Sequence, residues 1–214
     1  MKYHKLVENA KKPNGFWGKM MIKAMNKGHS SLTSWGLEHM NIERTATVLD
    51  IGCGGGKTVD RLCSIVANGK VYGIDYSELS VKSSEKLNSK NILCNKAKIL
   101  QASVSDMPFD DNTFDNITAV ETYYFWHDKE NDVKEVFRVL KQGGTVMLLF
   151  EMLRTDDDPF KWEKVENMLN IKSVTPQEIR AVLESAGFEN INTYTKEGTT
   201  WLCATAQKPK DDEN

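Results

Sequence analysis

The chain has 214 residues, 40% of them hydrophobic, and a formal net charge of -2 at pH 7, which suits one domain with a single sizeable core. A charge this balanced offers no basic surface of the kind that follows a phosphate backbone, and so argues against a nucleic-acid substrate. No apolar run approaches a membrane span, and the four cysteines (Cys53, Cys63, Cys94 and Cys203) form no C-x-x-C pair suited to zinc or dithiol chemistry.

Residues 15–26 carry apolar side chains at helical spacing, with Phe16, Met20 and Met21, or Trp17, Met21 and Met25, on one face. A Gly28-His29 loop and a second helical stretch, residues 32–40, follow. Val48-Leu49-Asp50-Ile51 is then a short buried strand that breaks into Gly52-Cys53-Gly54-Gly55-Gly56 before a helix over residues 57–67. Glycines in such a turn let the backbone bend sharply and let a ligand approach where a Cβ would otherwise stand. The spacing decides the ligand class. A dinucleotide fingerprint would need its third glycine at Lys57, and a P-loop would need its first at Ile51. The chain instead reads Asp-Ile-Gly-x-Gly-x-Gly.

Residues 70–75 form a second strand ending in Asp75, placed to accept hydrogen bonds from both hydroxyls of a ribose or to cap the helix starting near Ser77. Tyr76 follows it. A third strand over residues 98–103 leads into Val104-Ser105-Asp106-Met107-Pro108-Phe109, and a fourth spans residues 116–121. Glu121-Thr122-Tyr123-Tyr124-Phe125-Trp126-His127 comes next, at the strand end where open α/β sheets bind ligands, with Asp128 a candidate N-cap. A helix carrying Arg138-Val139-Leu140-Lys141 is expected to stop at Gly143-Gly144, ahead of a fifth strand. After a polar insertion with a helix entry near Pro159, Thr175-Pro176-Gln177-Glu178 is a capping box opening a helix to Gly187. Residues 188–195 and 200–206 then form two strands joined at Glu197-Gly198.

Taken together, the glycine turn, Asp75, the Asp106-Met107-Pro108-Phe109 loop, the fourth strand and the Gly143-Gly144 junction resemble class I S-adenosylmethionine (SAM)-dependent methyltransferases. The closest pattern is the type 11 methyltransferase domain, across residues 47–151. The resemblance implies an α/β Rossmann-like three-layer sandwich with a seven-stranded, mostly parallel sheet of order 3-2-1-4-5-7-6, strand 7 antiparallel. It also implies an N-terminal helical cap over residues 1–46 and a SAM-binding domain over 47–207, while the composition of residues 208–214 reads as a frayed polar tail. Under it Asp50, Gly52, Cys53, Gly54, Asp75, Tyr76, Ser105, Asp106, Met107 and Glu121 bind the cofactor, Asp106 accepting from the adenine amine and the Met107 N–H facing the ring. Tyr123, Tyr124 and His127 are the catalytic candidates. Trp17, Met21, Met25, His29 and Trp126 are candidates for the acceptor pocket, although the Trp and Met stripe reads more readily as core against the sheet.

The implied activity is methyl transfer from SAM to a small-molecule acceptor, releasing S-adenosylhomocysteine (SAH), by a monomer or homodimer with no metal. The Asn-Pro-Pro-Tyr signature of nitrogen methylation is absent from strand four. Two alternatives stay open: a non-catalytic SAM-binding sensor or partner subunit, and a nucleotide-dependent enzyme. Unpaired thiols and the lack of a secretory leader pattern point to the cytoplasm.

Overall fold

The computed structural model describes residues 28–210 together with Gly18 and Met20. Its centre is a seven-stranded sheet of order β3-β2-β1-β4-β5-β7-β6. The strands are β1 (Thr47–Ile51), β2 (Lys70–Asp75), β3 (Ala97–Gln101), β4 (Phe114–Val120), β5 (Leu140–Phe150), β6 (Glu189–Thr195) and β7 (Leu202–Gln207). β1 to β5 pair in parallel, and β7 runs antiparallel to both β5 and β6. The fold and strand order expected from the resemblance are those found.

The central strands are buried on both faces, as parallel strands covered by helices must be. β1 reads Val48, Leu49, Asp50 and Ile51, all buried, and β5 is buried without a break from Val146 to Phe150. One face carries α1 (Ser30–Leu37), α2 (Lys57–Ile65) and α3 (Glu78–Leu87), followed by the short α4 (Ser89–Leu93). The other carries α5 (Lys129–Val139) and α7 (Pro176–Ser185), with α6 (Glu163–Leu169) beside them. α1 lies so close to β5 that a Cβ on Gly36 would sit 2.7 Å from Leu149 Cδ2. The Thr175 capping box is present, its Oγ1 accepting from the Glu178 N–H at 3.1 Å.

Three expectations are corrected. The helix before β5 ends at Val139 rather than at the Gly-Gly pair, and those glycines form an irregularity within β5. Phe114 pairs with Leu140 but Asn116 with Thr145, and Gly143 takes φ +72° in the surplus chain between them. The helix in the insertion starts at Glu163, past Pro159. Lys208 is not part of a frayed tail. Its side chain is buried, and Nζ donates to Phe137 O at 2.7 Å, Leu140 O at 2.9 Å and Asn112 Oδ1 at 2.9 Å. The ammonium thus satisfies the carbonyls at the C-terminus of α5, where a positive charge also meets the helix dipole favourably. Lys208→Met should lower stability by about 1–2 kcal/mol through the abandoned carbonyls. Urea unfolding is expected to show a lower midpoint at an unchanged slope.

Candidate cofactor site

The chain leaves β1 at Ile51 and turns through Gly52 (φ +68°), Gly54 (φ +52°) and Gly56 (φ +81°) into α2. Backbone bonds fix the turn: Cys53 N–H donates to Ile74 O at 2.9 Å and Gly56 N–H to Cys53 O at 2.8 Å. Asp75, at the end of β2, holds it from the side, with Oδ2 accepting from Gly54 N–H at 2.9 Å and Oδ1 from Ser77 N–H at 2.8 Å. A Cβ added to Gly54 would meet nothing nearer than 4.0 Å, so the surface above this residue is open.

The turn forms one side of a cavity of about 340 Å³. It lies at the carboxyl ends of the strands, where β1 sits between β2 and β4 and the strand order reverses, the usual ligand position in an open α/β sheet. Ile51 and Gly52 come from the first strand end, Ile74, Asp75 and Tyr76 from the second, and Ala102, Ser103, Val104 and Ser105 from the third. Thr122, Tyr124, Phe125, Trp126 and His127 follow β4, and Ile171 closes the wall from the insertion.

Of the residues proposed from sequence, Gly52, Asp75, Tyr76, Ser105, Tyr124, Trp126 and His127 line this cavity. Cys53 and Gly54 belong to the turn beside it. The Cys53 thiol is buried 3.8 Å from Ser84 Oγ, and burial pushes its pKa well up, so it serves as a small side chain. Asp50 lies beneath the turn, accepting from Thr118 Oγ1 at 2.7 Å. Trp17, Met21 and Met25 lie outside the described residues.

Asp106, Met107, Tyr123, Glu121 and His29 fall elsewhere. Asp106 is exposed and off the cavity wall. The Met107 N–H is not available to a ring, because it donates to Glu135 Oε1 at 2.9 Å and its side chain is core. Arg138 fixes that arrangement by donating to Glu135 Oε2 at 2.7 Å, Asp111 Oδ1 at 2.7 Å and Phe109 O at 2.8 Å. The cavity wall therefore starts directly at the end of β3, with Ala102 and Ser103. The same strand-end rule that singles out Asp75 and Tyr76 would have found them.

Tyr123 points away from the cavity. It packs on Trp126 and Phe150, with ring centroids 5.2 and 5.7 Å apart, and the Lys129 ammonium lies over its face. A 3-10 turn over Tyr123–Phe125 sends the two adjacent tyrosines in different directions. Tyr124 OH accepts from Met152 N–H at 2.9 Å and donates towards Glu121 Oε1 at 3.4 Å. Glu121, at φ +58°, also receives the Glu151 N–H, and burial with the neighbouring Glu151 charge lifts its carboxyl to about 8. His29, at the N-terminus of α1, places Nε2 3.9 Å from Glu151 Oε2. Trp126 Nε1 is buried with no hydrogen-bond partner among the described residues, a donor left over in the cavity wall.

Burial raises the Asp50 carboxyl to about 7, outweighing the Thr118 hydrogen bond. Between about pH 4, where an unfolded aspartate titrates, and pH 7, the folded protein keeps a proton that the unfolded chain has released. Stability from this group is full below that window and falls as pH rises through it. Asp50→Asn keeps an acceptor for Thr118 and should flatten the fall, read as urea midpoints over a pH series.

Residues 49–148 match the family model of a methyltransferase domain. The ubiquinone/menaquinone biosynthesis C-methyltransferase UbiE of Cronobacter sakazakii is 31% identical over 181 residues, covering 73% of this chain and 72% of its own. The chain belongs to the SAM-dependent methyltransferases. An uncharacterized methyltransferase of Bacillus subtilis, YdaC, is 27% identical over 183 residues, which is 85% of this methyltransferase and 93% of YdaC. Among solved structures, a SAM-dependent methyltransferase from Aquifex aeolicus shares the fold at TM-score 0.68 and 21% identity, covering 88% of this chain and 97% of that one. A Haloferax volcanii chain in complex with the Trm112 methyltransferase activator does so at TM-score 0.75 and 20% identity, covering 90% and 95%. The cofactor of this methyltransferase is SAM. The open surface over Gly54, the carboxylate of Asp75 at the second strand end and the apolar wall beyond fit a nucleoside with a charged, methyl-bearing end.

Proposed function

We propose that the protein transfers the SAM methyl group to a small organic acceptor and releases SAH. The observation that carries this reading is the continuous cavity that runs from Asp75 to the aromatic wall of Tyr124, Phe125 and Trp126. In it, Asp75 receives the ribose hydroxyls through the lone pairs its two N–H donors leave free, and the glycine turn faces the amino-acid part. Tyr76 and residues 102–105 flank the base. SAM itself supplies a methyl carbon on a sulfonium, which leaves as a neutral thioether.

The chain's own contribution is to align the acceptor and exclude water. Tyr124 is held by the Met152 N–H, so its ring is a fixed wall, and Phe125, Trp126 and Ile171 give the acceptor side an apolar character. His127 lines the cavity and is exposed, a position from which it can take a proton from an acceptor that must lose one. In this reading residues 47–207 form the SAM domain.

Isothermal titration with SAM and SAH, with NAD and ATP as controls, is the test. Micromolar binding of SAM and SAH alone, followed by SAH release with an apolar acceptor, is the expected result. SAM binding without turnover on any acceptor, or turnover only with a second protein present, would support a partner-subunit reading instead.

A further inference from the structure

We propose that His29, Glu121 and Glu151 form a three-ligand site for a divalent first-row transition metal at the carboxyl edge of the sheet. The ligands come from three separate elements. His29 caps α1, Glu121 follows β4 and Glu151 follows β5. β4 and β5 are parallel neighbours, which brings the two glutamates to the same edge, and α1 packs on β5 beneath them. One ligand atom from each of the three lies within 4.8 Å of the others, and His29 Nε2 is 3.9 Å from Glu151 Oε2. Ligands bound about 2.0–2.2 Å from a shared ion stand roughly 3–4 Å apart, so small side-chain rotations complete the site.

The cluster offers a cation three ligand atoms. Two glutamate carboxyl groups meet at this edge, and among the described residues no salt bridge joins either to a lysine or arginine. Arg154, the nearest arginine in the chain, is committed to Glu178 and Ser173 O. One oxygen of Glu121, Oε1, takes both the Glu151 N–H and the Tyr124 hydroxyl, leaving Oε2 for an ion. Glu121 is partly buried and Glu151 exposed, so an ion would reach the cluster from solvent, and burial lowers the His29 pKa towards the neutral imidazole that ligates a metal. An imidazole nitrogen beside two carboxylate oxygens suits zinc, manganese, iron or cobalt better than magnesium or calcium. Three protein ligands leave coordination positions open, and Tyr124, bonded to Glu121, is the side chain between the cluster and the cavity.

The site stands apart from the methyl-transfer reading and is tested on the protein alone. Protein stripped with a chelator is titrated calorimetrically with zinc(II), manganese(II) and magnesium(II), and its visible spectrum is followed with cobalt(II). One equivalent of zinc or manganese is expected to bind. Affinity should fall at least about tenfold in each of His29→Ala, Glu121→Gln and Glu151→Gln, with magnesium weak throughout. The cobalt spectrum should show nitrogen and oxygen ligation and lose intensity in His29→Ala, whose thermal unfolding midpoint and SAH affinity check that it folds. Absence of saturable binding to the native protein, binding unchanged in the folded His29→Ala and Glu151→Gln variants, or a cobalt–thiolate band from the free cysteines would each overturn the proposal.

Discussion

Gly52→Ala is expected to destabilise the protein by at least about 3 kcal/mol and to abolish measurable SAH binding. Two effects add. The residue sits at φ +68°, where a Cβ clashes with its own backbone. The added Cβ would also stand 2.2 Å from Thr122 Oγ1 and 2.7 Å from Thr122 Cβ. Rotating the threonine moves its hydroxyl but not its Cβ, so the loops after β1 and β4 must separate, and both line the cavity. The steric account makes a sharper claim. Gly52→Ala combined with Thr122→Gly should recover about 1–3 kcal/mol relative to the sum of the single changes, leaving only the φ strain. Additive losses in urea unfolding would mean that the crowding with Thr122 is not what excludes a side chain at Gly52.

Asp75→Asn should weaken SAM and SAH binding nearly as much as Asp75→Ala, by about 1.5–3 kcal/mol, or roughly 10- to 150-fold. Both oxygens of Asp75 already accept backbone N–H groups, from Gly54 and Ser77. An asparagine must turn its NH2 towards one of those donors, so the near-isosteric change opposes two like dipoles and loses a ribose acceptor as well. Burial raises the Asp75 pKa, against the hydrogen bonds from Ser77 N–H, Gly54 N–H and the Ser80 side chain that lower it, so the carboxylate depends on these donors for its charge. Calorimetric titration of the two variants checks this. Unchanged affinity in folded Asp75→Asn would reject the ribose role, whereas a loss in Asp75→Ala alone would mean that one acceptor oxygen suffices.

The parts of the site legible in the sequence are those where one short segment carries both the strand and its turn. Asp75 and the glycines are read from a few consecutive residues, and the structure places them together at adjacent strand ends. The Met107 loop is not legible in this way, because its orientation is set by Glu135 and Arg138, distant in the chain and on a helix. Tyr123 and Tyr124 are chemically alike, and only the 3-10 turn decides which one meets the cavity. Gly143 and Gly144 carry the same signature for a helix stop as for a strand irregularity, and Lys208, bonded to the end of α5, looks like any polar tail residue. Ile171 reaches the wall from an insertion with no pattern of its own. His29, Glu121 and Glu151 have no metal-ligand spacing at all, since each ends or begins a different element.

The position of β7 between β5 and β6 has a consequence for how the chain is made. β6 is translated before β7, yet among the described strands it pairs with β7 alone. While residues 196–207 are being added, β7 is not yet available, so the emerging chain carries one bare edge on β5. At ordinary elongation rates of about 5–20 residues per second, that interval is brief. A stall at rare codons within residues 196–207 would prolong it and leave the Thr145–Phe150 edge, rich in Val, Met, Leu and Phe, open to pairing with other chains. Synonymous codon changes in that stretch should thus alter the yield of native protein without changing a single residue.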